Sequence, residues 1–193
     1  MTFYSYAREQ WRDRNDDETL RKIWQQRLKE WREQDAITRI ERPTRIAKAR
    51  SIGYKAKPGV IVVRGRVMRG SRRRRDIKAG RRPKRAGQVK FSPKKNYRQI
   101  MEERVSQKYP NLEVLNSYPV AKDGIHKWFE HVLIDPEHPA IKNDDDYQDV
   151  AKQRGRAERG LTGAGKETRG LRNKGKGAEK ARPSRRANRQ REN

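Results

Sequence analysis

The sequence predicts an α+β protein: a small core of β-strands with packed helices, an N-terminal amphipathic helix, a long basic internal arm and a basic C-terminal extension. Three observations lead there. A tryptophan-bearing stripe at helical spacing lies early in the chain, two β-branched and aromatic runs joined by Ala121-Lys122-Asp123-Gly124 lie later, and long stretches between and after them are nearly devoid of apolar residues.

Taken in order, Leu20, Ile23, Trp24, Arg27, Leu28 and Trp31 keep the rhythm of one helical face, with Asp16 and Asp17 as capping candidates, so a helix is expected from about Asp17 to Gln34. Tryptophans at that spacing are expected to pack rather than to stack on bases. Pro43 breaks the chain, and 44–50 reads as a short turn or helix leading to Gly53 and the Pro58-Gly59 corner. Val60 to Val63 continue through Arg64, Arg66, Val67 and Met68 as the first core strand with a basic edge or face. From Gly70 to Lys90 apolar residues almost vanish, and this arm is expected to order only on phosphate. Ser92-Pro93 reads as a cap and first turn of a helix to about Lys108, with Ile100, Met101 and Val105 inward. Leu112 to Val120 and Ile125 to Ile134 read as the strands of a hairpin, closed by the Asp-Gly turn signal. Residues 1–47 therefore form an N-terminal helical segment, 48–150 an α+β core that includes the arm at 70–90, and 151–193 an extension with Leu161 and Leu171 as its large apolar anchors.

Composition bounds the partner. Leu, Ile, Val and Phe make up 31 of 193 residues, fewer than a fully self-packing chain needs, and the net charge is +26. The charge is uneven: residues 48–98 hold 20 Lys and Arg against one Asp, whereas 99–150 hold five against eleven acids. An acid polymer is the expected partner, and arginine-dense runs favour RNA phosphate, which the planar guanidinium grips with two parallel hydrogen bonds. A membrane surface is not expected, since no apolar run approaches the roughly 20 residues that cross a bilayer. The start MTFYSYAREQWRDR is charged where a signal peptide is apolar, so an intracellular chain is expected. With no cysteine, disulfides, thiolate metal sites and thiol catalysis are excluded.

The motifs that hint at catalysis fail on chemistry. GLTGAGKE at 160–167 nearly matches a phosphate loop, but Glu167 stands where a magnesium-binding hydroxyl belongs and no buried strand precedes it. Its glycines and Lys166 are expected to offer N–H groups and charge to RNA phosphates without hydrolysis. His126, His131 and His138 are spaced so that their rings do not converge on one metal, and the paired acids Glu102-Glu103 and Asp144 to Asp146 read as a solvated face or as partners for neighbouring bases. Neither cofactor, metal nor small-molecule substrate is expected. The residues alone lead to a basic nucleic-acid-binding protein with extensions.

Four strings go further: RPTRIAKARSIGYKAKPGVIVVRGRVMRG (42–70), LEVLNSYPV (112–120), HVLIDPEHPAI (131–141) and RGLTGAGKETRGL (159–171). In order and spacing they resemble the archaeal and eukaryotic large-subunit ribosomal protein family L-fifteen-e, over nearly the whole chain and with a composition closer to the archaeal members. The resemblance implies a non-catalytic constituent of the large ribosomal subunit in the cytoplasm, bound to large-subunit ribosomal RNA beside neighbouring ribosomal proteins and supporting translation. It implies RNA-facing positions at Arg42, Arg45, Lys48, Arg50, Tyr54, Lys55, Lys57, Arg64, Arg66 and Arg69. The arm would add Arg72, Arg73, Arg74, Arg75, Arg81, Arg82, Lys84 and Arg85, and the C-terminal region Arg159, Lys166, Arg169, Arg172, Lys174 and Lys176. The loop from Asp76 to Lys95 and the tail from Glu179 depart most from the family pattern.

Overall fold

Side chains that alternate between the two faces of one sheet organise the molecule. In the computed structural model, which describes residues 2–71, 93–173, 175 and 178–181, strands β1 (Ile37–Ile40), β2 (Val60–Met68), β3 (Glu113–Lys122) and β4 (His126–Ile134) form one antiparallel sheet in the order β1-β2-β4-β3. Helices α1 (Phe3–Asp13), α2 (Glu18–Glu33) and α3 (Ile46–Ser51) belong to one side of it. Helix α4 (Tyr97–Lys108) covers the other. Short helices α5 (Pro139–Lys142), α6 (Asp145–Ala151) and α7 (Gly163–Thr168) complete the described chain, with a 3-10 turn at Glu179–Ala181.

The period of two explains the layers. Val62, Tyr118, Trp128 and Val132 meet Trp31, Ala49 and Tyr54 on the first face, while Val63, Val67, Phe129 and Leu133 meet Met101 and Val105 on the second. Every residue of β4 from Trp128 to Ile134 is buried, because this strand has a partner on each edge and a helical layer on each face. At the centre of β2, Gly65 leaves room for α4: a Cβ there would lie 2.7 Å from the Met101 methyl. Pro119 cannot donate to a ladder and sits exposed in edge strand β3, beside a register shift between Pro119 and Ala121.

Several sequence expectations shift by a few residues. The first predicted helix is α2, capped by the Asp17 carboxylate, which accepts from the backbone N–H of Thr19 (2.7 Å) and Leu20 (3.1 Å). Helix α4 starts later than Ser92-Pro93 suggested, because the Asn96 side chain accepts from the Gln99 N–H and takes the capping role; Pro93 is exposed and non-helical, and Ser92 lies outside the described residues. Within α4 the inward positions are Met101 and Val105, with Ile100 half-buried. In the hairpin the turn tightens, with β3 running on through Lys122 and the Asp123 carboxylate accepting from the N–H of Ile125 and His126. The stretch from Ala151, low in large apolar residues, nevertheless begins by packing onto the sheet. Ala157, Thr162, Gly163, Ala164 and Gly165 are all buried, through close approach of small residues rather than apolar bulk. Most of the 70–90 arm and everything after Ala181 lie outside the described residues.

Glu102, Glu130 and His131 are among the polar groups enclosed by the core layers. The Glu130 carboxylate accepts from the Thr44 N–H (3.0 Å) and the Tyr118 hydroxyl (2.5 Å), and Glu102 accepts from the hydroxyls of Ser117 and Thr162. Burial raises both carboxyls above their ordinary range. His131 is fully buried with neither ring nitrogen hydrogen-bonded, and burial pushes it down to about 3. Below pH 6.5 the unfolded chain therefore takes up a proton at this histidine that the folded chain refuses, so stability falls as pH drops from about 6.5 towards 3. At pH 5 the loss is expected to be about 2 kcal/mol. Glu102 and Glu130 act with the opposite sign, so the measurement is urea unfolding of the full chain and of His131→Leu at pH 7 and pH 5. The variant should lose less stability on acidification; an equal loss in both would show that His131 is not held neutral.

Candidate nucleic-acid interface

Two cationic surfaces emerge when the expected RNA-facing residues are placed on the fold. The first surrounds α3. Arg42, Lys48 and Arg50 are exposed there, and Arg45 is half-buried with its guanidinium 5.0 Å from the centre of the Trp11 ring. Arg50 stands 5.5 Å from the Tyr4 ring, which ties the basic end of α3 to α1. The second surrounds α7, on the α4 side of the sheet, with Arg159, Lys166 and Arg172 exposed and Arg169 half-buried, donating to the Gly160 carbonyl (3.2 Å).

Other expected positions serve the fold. Tyr54 is 7% exposed and lies in the first core layer. Arg64 is also buried, stacked 3.9 Å from the Trp31 ring centre and donating to Gln34 Oε1 (2.7 Å). Both placements have one cause: the inward phase of the first face, which a local string of basic residues does not reveal. Arg66 donates to the carbonyls of Trp31 and Arg32, closing the C-terminal end of α2, and exposed Arg69 donates to the Asp123 carbonyl. Lys55 and Lys57 are both paired with Asp144, and Lys55 also with Asp146 (2.5 Å). Hydrogen bonds from Lys57 and then Lys55 hold the Asp144 carboxyl down at about 2. Of the two readings of the acidic run, Asp144 takes that of a partner for bases, as a counter-charge to the basic loop before β2. Arg72 to Arg75, Arg81, Arg82, Lys84, Arg85, Lys174 and Lys176 lie outside the described residues.

The glycine-rich motif takes a different part from the one its spacing suggests. Thr162 caps α7 by accepting from the Gly165 N–H (3.2 Å) while its hydroxyl donates to Glu102 (2.5 Å). Gly163, Ala164 and Gly165 are buried, Gly163 beside Asn116 and Gly165 closing on Gly160, and the Gly165 N–H is taken up by the cap. Glu167 reaches Arg98 (3.5 Å), and only Lys166 of the motif is offered to solvent as a cation. His138 caps α5 through its Nδ1, and among the described residues no His, Asp and Glu groups cluster as metal ligands. No described helix is long and apolar enough to cross a membrane.

Arg14 and Arg27 were not anticipated. They belong with Arg45, because all three guanidiniums lie over Trp11 or Trp24. The signal was present as a repeated spacing, Trp11 with Arg14 and Trp24 with Arg27, each placing a cation one helical turn beyond an indole.

Comparison with known proteins decides the family. The model of the family described as Ribosomal L15, Ribosomal_L15e, matches residues 2–188. The chain belongs to the L15e family. Among L15e relatives, the large ribosomal subunit protein eL15 of Haloarcula marismortui is 54% identical over 187 residues, covering 96% of this chain and 95% of the relative. The protein of the same name from Halobacterium salinarum is 50% identical over 185 residues, covering 95% and 94%. L15e proteins are ribosomal structural proteins, not enzymes, which leaves the enclosed Glu102, Glu130 and His131 as framework groups.

Proposed function

We propose that the chain is a structural constituent of the large ribosomal subunit in the cytoplasm, where it holds folded large-subunit RNA and contacts neighbouring ribosomal proteins in support of translation. The observation that carries this is the near full-length match to proteins named for that subunit. The physical support is the placement of cations on both outer layers of the sheet, with exposed Arg42, Lys48 and Arg50 and half-buried Arg45 on one, and exposed Arg159, Lys166 and Arg172 and half-buried Arg169 on the other. Arg72 to Arg75, Arg81, Arg82, Lys84, Arg85, Lys174 and Lys176 supply further cations for RNA phosphates. Affinity is then dominated by phosphate neutralisation, with shape and charge mattering more than base identity.

The test has two arms. The full chain should co-sediment with the large subunit in a sucrose gradient and leave it only at high salt. Binding to large-subunit RNA should weaken steeply with salt, and replacing Arg72 to Arg75 together by Ala should flatten the log-log slope by about three units if each arginine meets a phosphate. An unchanged slope would remove the arm from the interface. Failure to co-sediment, with equal binding to any duplex, would make the chain a general packaging factor instead.

A further inference from the structure

Between α1, α2 and the start of α3 lies a groove of about 370 Å³ that the core does not require. Trp11 and Trp24 line it edge to face, with ring centres 5.3 Å apart. The guanidinium of Arg14 stands 4.4 Å from the Trp11 centre and 5.5 Å from that of Trp24, with Arg27 5.8 Å from Trp24. Arg45 completes the set over Trp11. No Asp or Glu lines the groove, and among the described residues none of these three arginines has a carboxylate within ion-pair distance. Arg14 donates through Nη1 to the Trp11 carbonyl (2.9 Å), but its Nε is buried without an acceptor. Burial and the charge of Arg14 both pull the Arg45 guanidinium below its ordinary value, so the two cations strain against each other. Phe3, which also lines the groove, is 69% exposed.

Three cations gathered on aromatic rings without a counter-ion are stabilised when an anion enters. The volume suits a small ligand and not a duplex. A guanidinium lying on an indole presents a flat, ring-sized, positively charged surface, and an unstacked base carrying its phosphate matches both the shape and the charge. An acidic peptide would satisfy the arginines but would leave the aromatic surfaces without a matching group. We propose that this groove takes one unpaired nucleotide of an RNA strand, with its base against Phe3 and the guanidinium-covered tryptophans and its phosphate among Arg14, Arg27 and Arg45. The proposal rests on the ribosomal reading above and specifies where a single-stranded segment is held.

The test uses the full chain and three short probes of equal length: an oligoadenylate, an abasic ribose-phosphate chain, and an oligoglutamate. The oligoadenylate should bind roughly tenfold more tightly than the abasic chain and quench tryptophan emission. Phe3→Ala should remove most of that margin while leaving affinity for the abasic chain unchanged, and Arg27→Ala should weaken both nucleic-acid probes; both residues are exposed, so the fold is not at stake. Equal affinity for the two nucleic-acid probes, a margin that survives Phe3→Ala, or displacement of oligoadenylate by an equal concentration of oligoglutamate would overturn the proposal. Co-sedimentation with the large subunit separates the two readings. If the wild-type chain fails to co-sediment, the ribosomal assignment falls, whereas an indifferent groove with intact co-sedimentation defeats this inference alone.

Discussion

Trp128→Ala is expected to destabilise the free chain by about 3 to 5 kcal/mol, the range for truncating a large buried aromatic. Trp128 is 1% exposed on the central strand β4 and packs with its ring centre 6.2 Å from that of Trp31. Trp31 stands 5.5 Å from Trp24, and Trp24 adjoins Trp11, so four indoles connect the sheet to the groove between the first two helices. Truncation at the sheet end leaves a void that Val62 and Val132, held in the hydrogen-bonded ladder of β2 and β4, cannot move to fill. Denaturant unfolding monitored by circular dichroism measures the loss. A cost below about 1 kcal/mol would mean that α2 does not pack on the sheet as described.

Gly165→Ala is expected to cost about 3 kcal/mol, although it adds only a methyl group. The new Cβ would lie 2.4 Å from Gly160 Cα and 2.6 Å from its carbonyl carbon, and both are backbone atoms that no rotamer change can clear. Relief would require moving Thr162, which caps α7 and donates to the buried Glu102, so the carboxylate would lose a partner at the same time. Gly124→Ala is the control: nothing lies within 4 Å of a Cβ there, and its effect should stay within about 0.5 kcal/mol. Limited proteolysis should show cleavage between 155 and 171 appearing in Gly165→Ala while the hairpin stays protected. Identical digestion of the two variants would contradict the close packing of α7.

The parts of this fold that could be read from the sequence are those whose burial is carried by large side chains in a regular period. Helix α2, strand β2 and the β3–β4 hairpin each have such a signal, in Leu20 to Trp31, Val60 to Val67 and Val114 to Ile134. Strand β1 has four residues, too few for alternation to stand out, and its pairing with β2 is decided by the sheet. Helix α1 has no fully buried residue; partly buried Trp11 packs against the core, and ring and cation contacts to Trp24 and Arg50 hold the helix in place. The region from Ala157 to Gly165 packs by means of glycine and alanine, which composition scores as unstructured. At the interface, charge density was legible but allocation was not. The partner of Lys55 and Lys57 is Asp144, nearly ninety residues away in sequence, and no local pattern distinguishes lysines so paired from lysines left for phosphate.

The four-stranded sheet with cations on both outer layers has a geometric consequence. On the proposed function, one RNA segment docks on the α3 side and another on the α7 side, separated by roughly two helix diameters, or about 20 Å. Once the first is seated, the second meets its site as part of the same body, and its capture becomes an intramolecular step set by effective concentration rather than by diffusion. On that proposal the protein acts as a rigid strut between strands far apart in the RNA sequence. Its thermodynamic contribution on the same proposal would be to lower the entropy cost of closing the RNA loop between them, with the stiffness for this in β4, enclosed on every side.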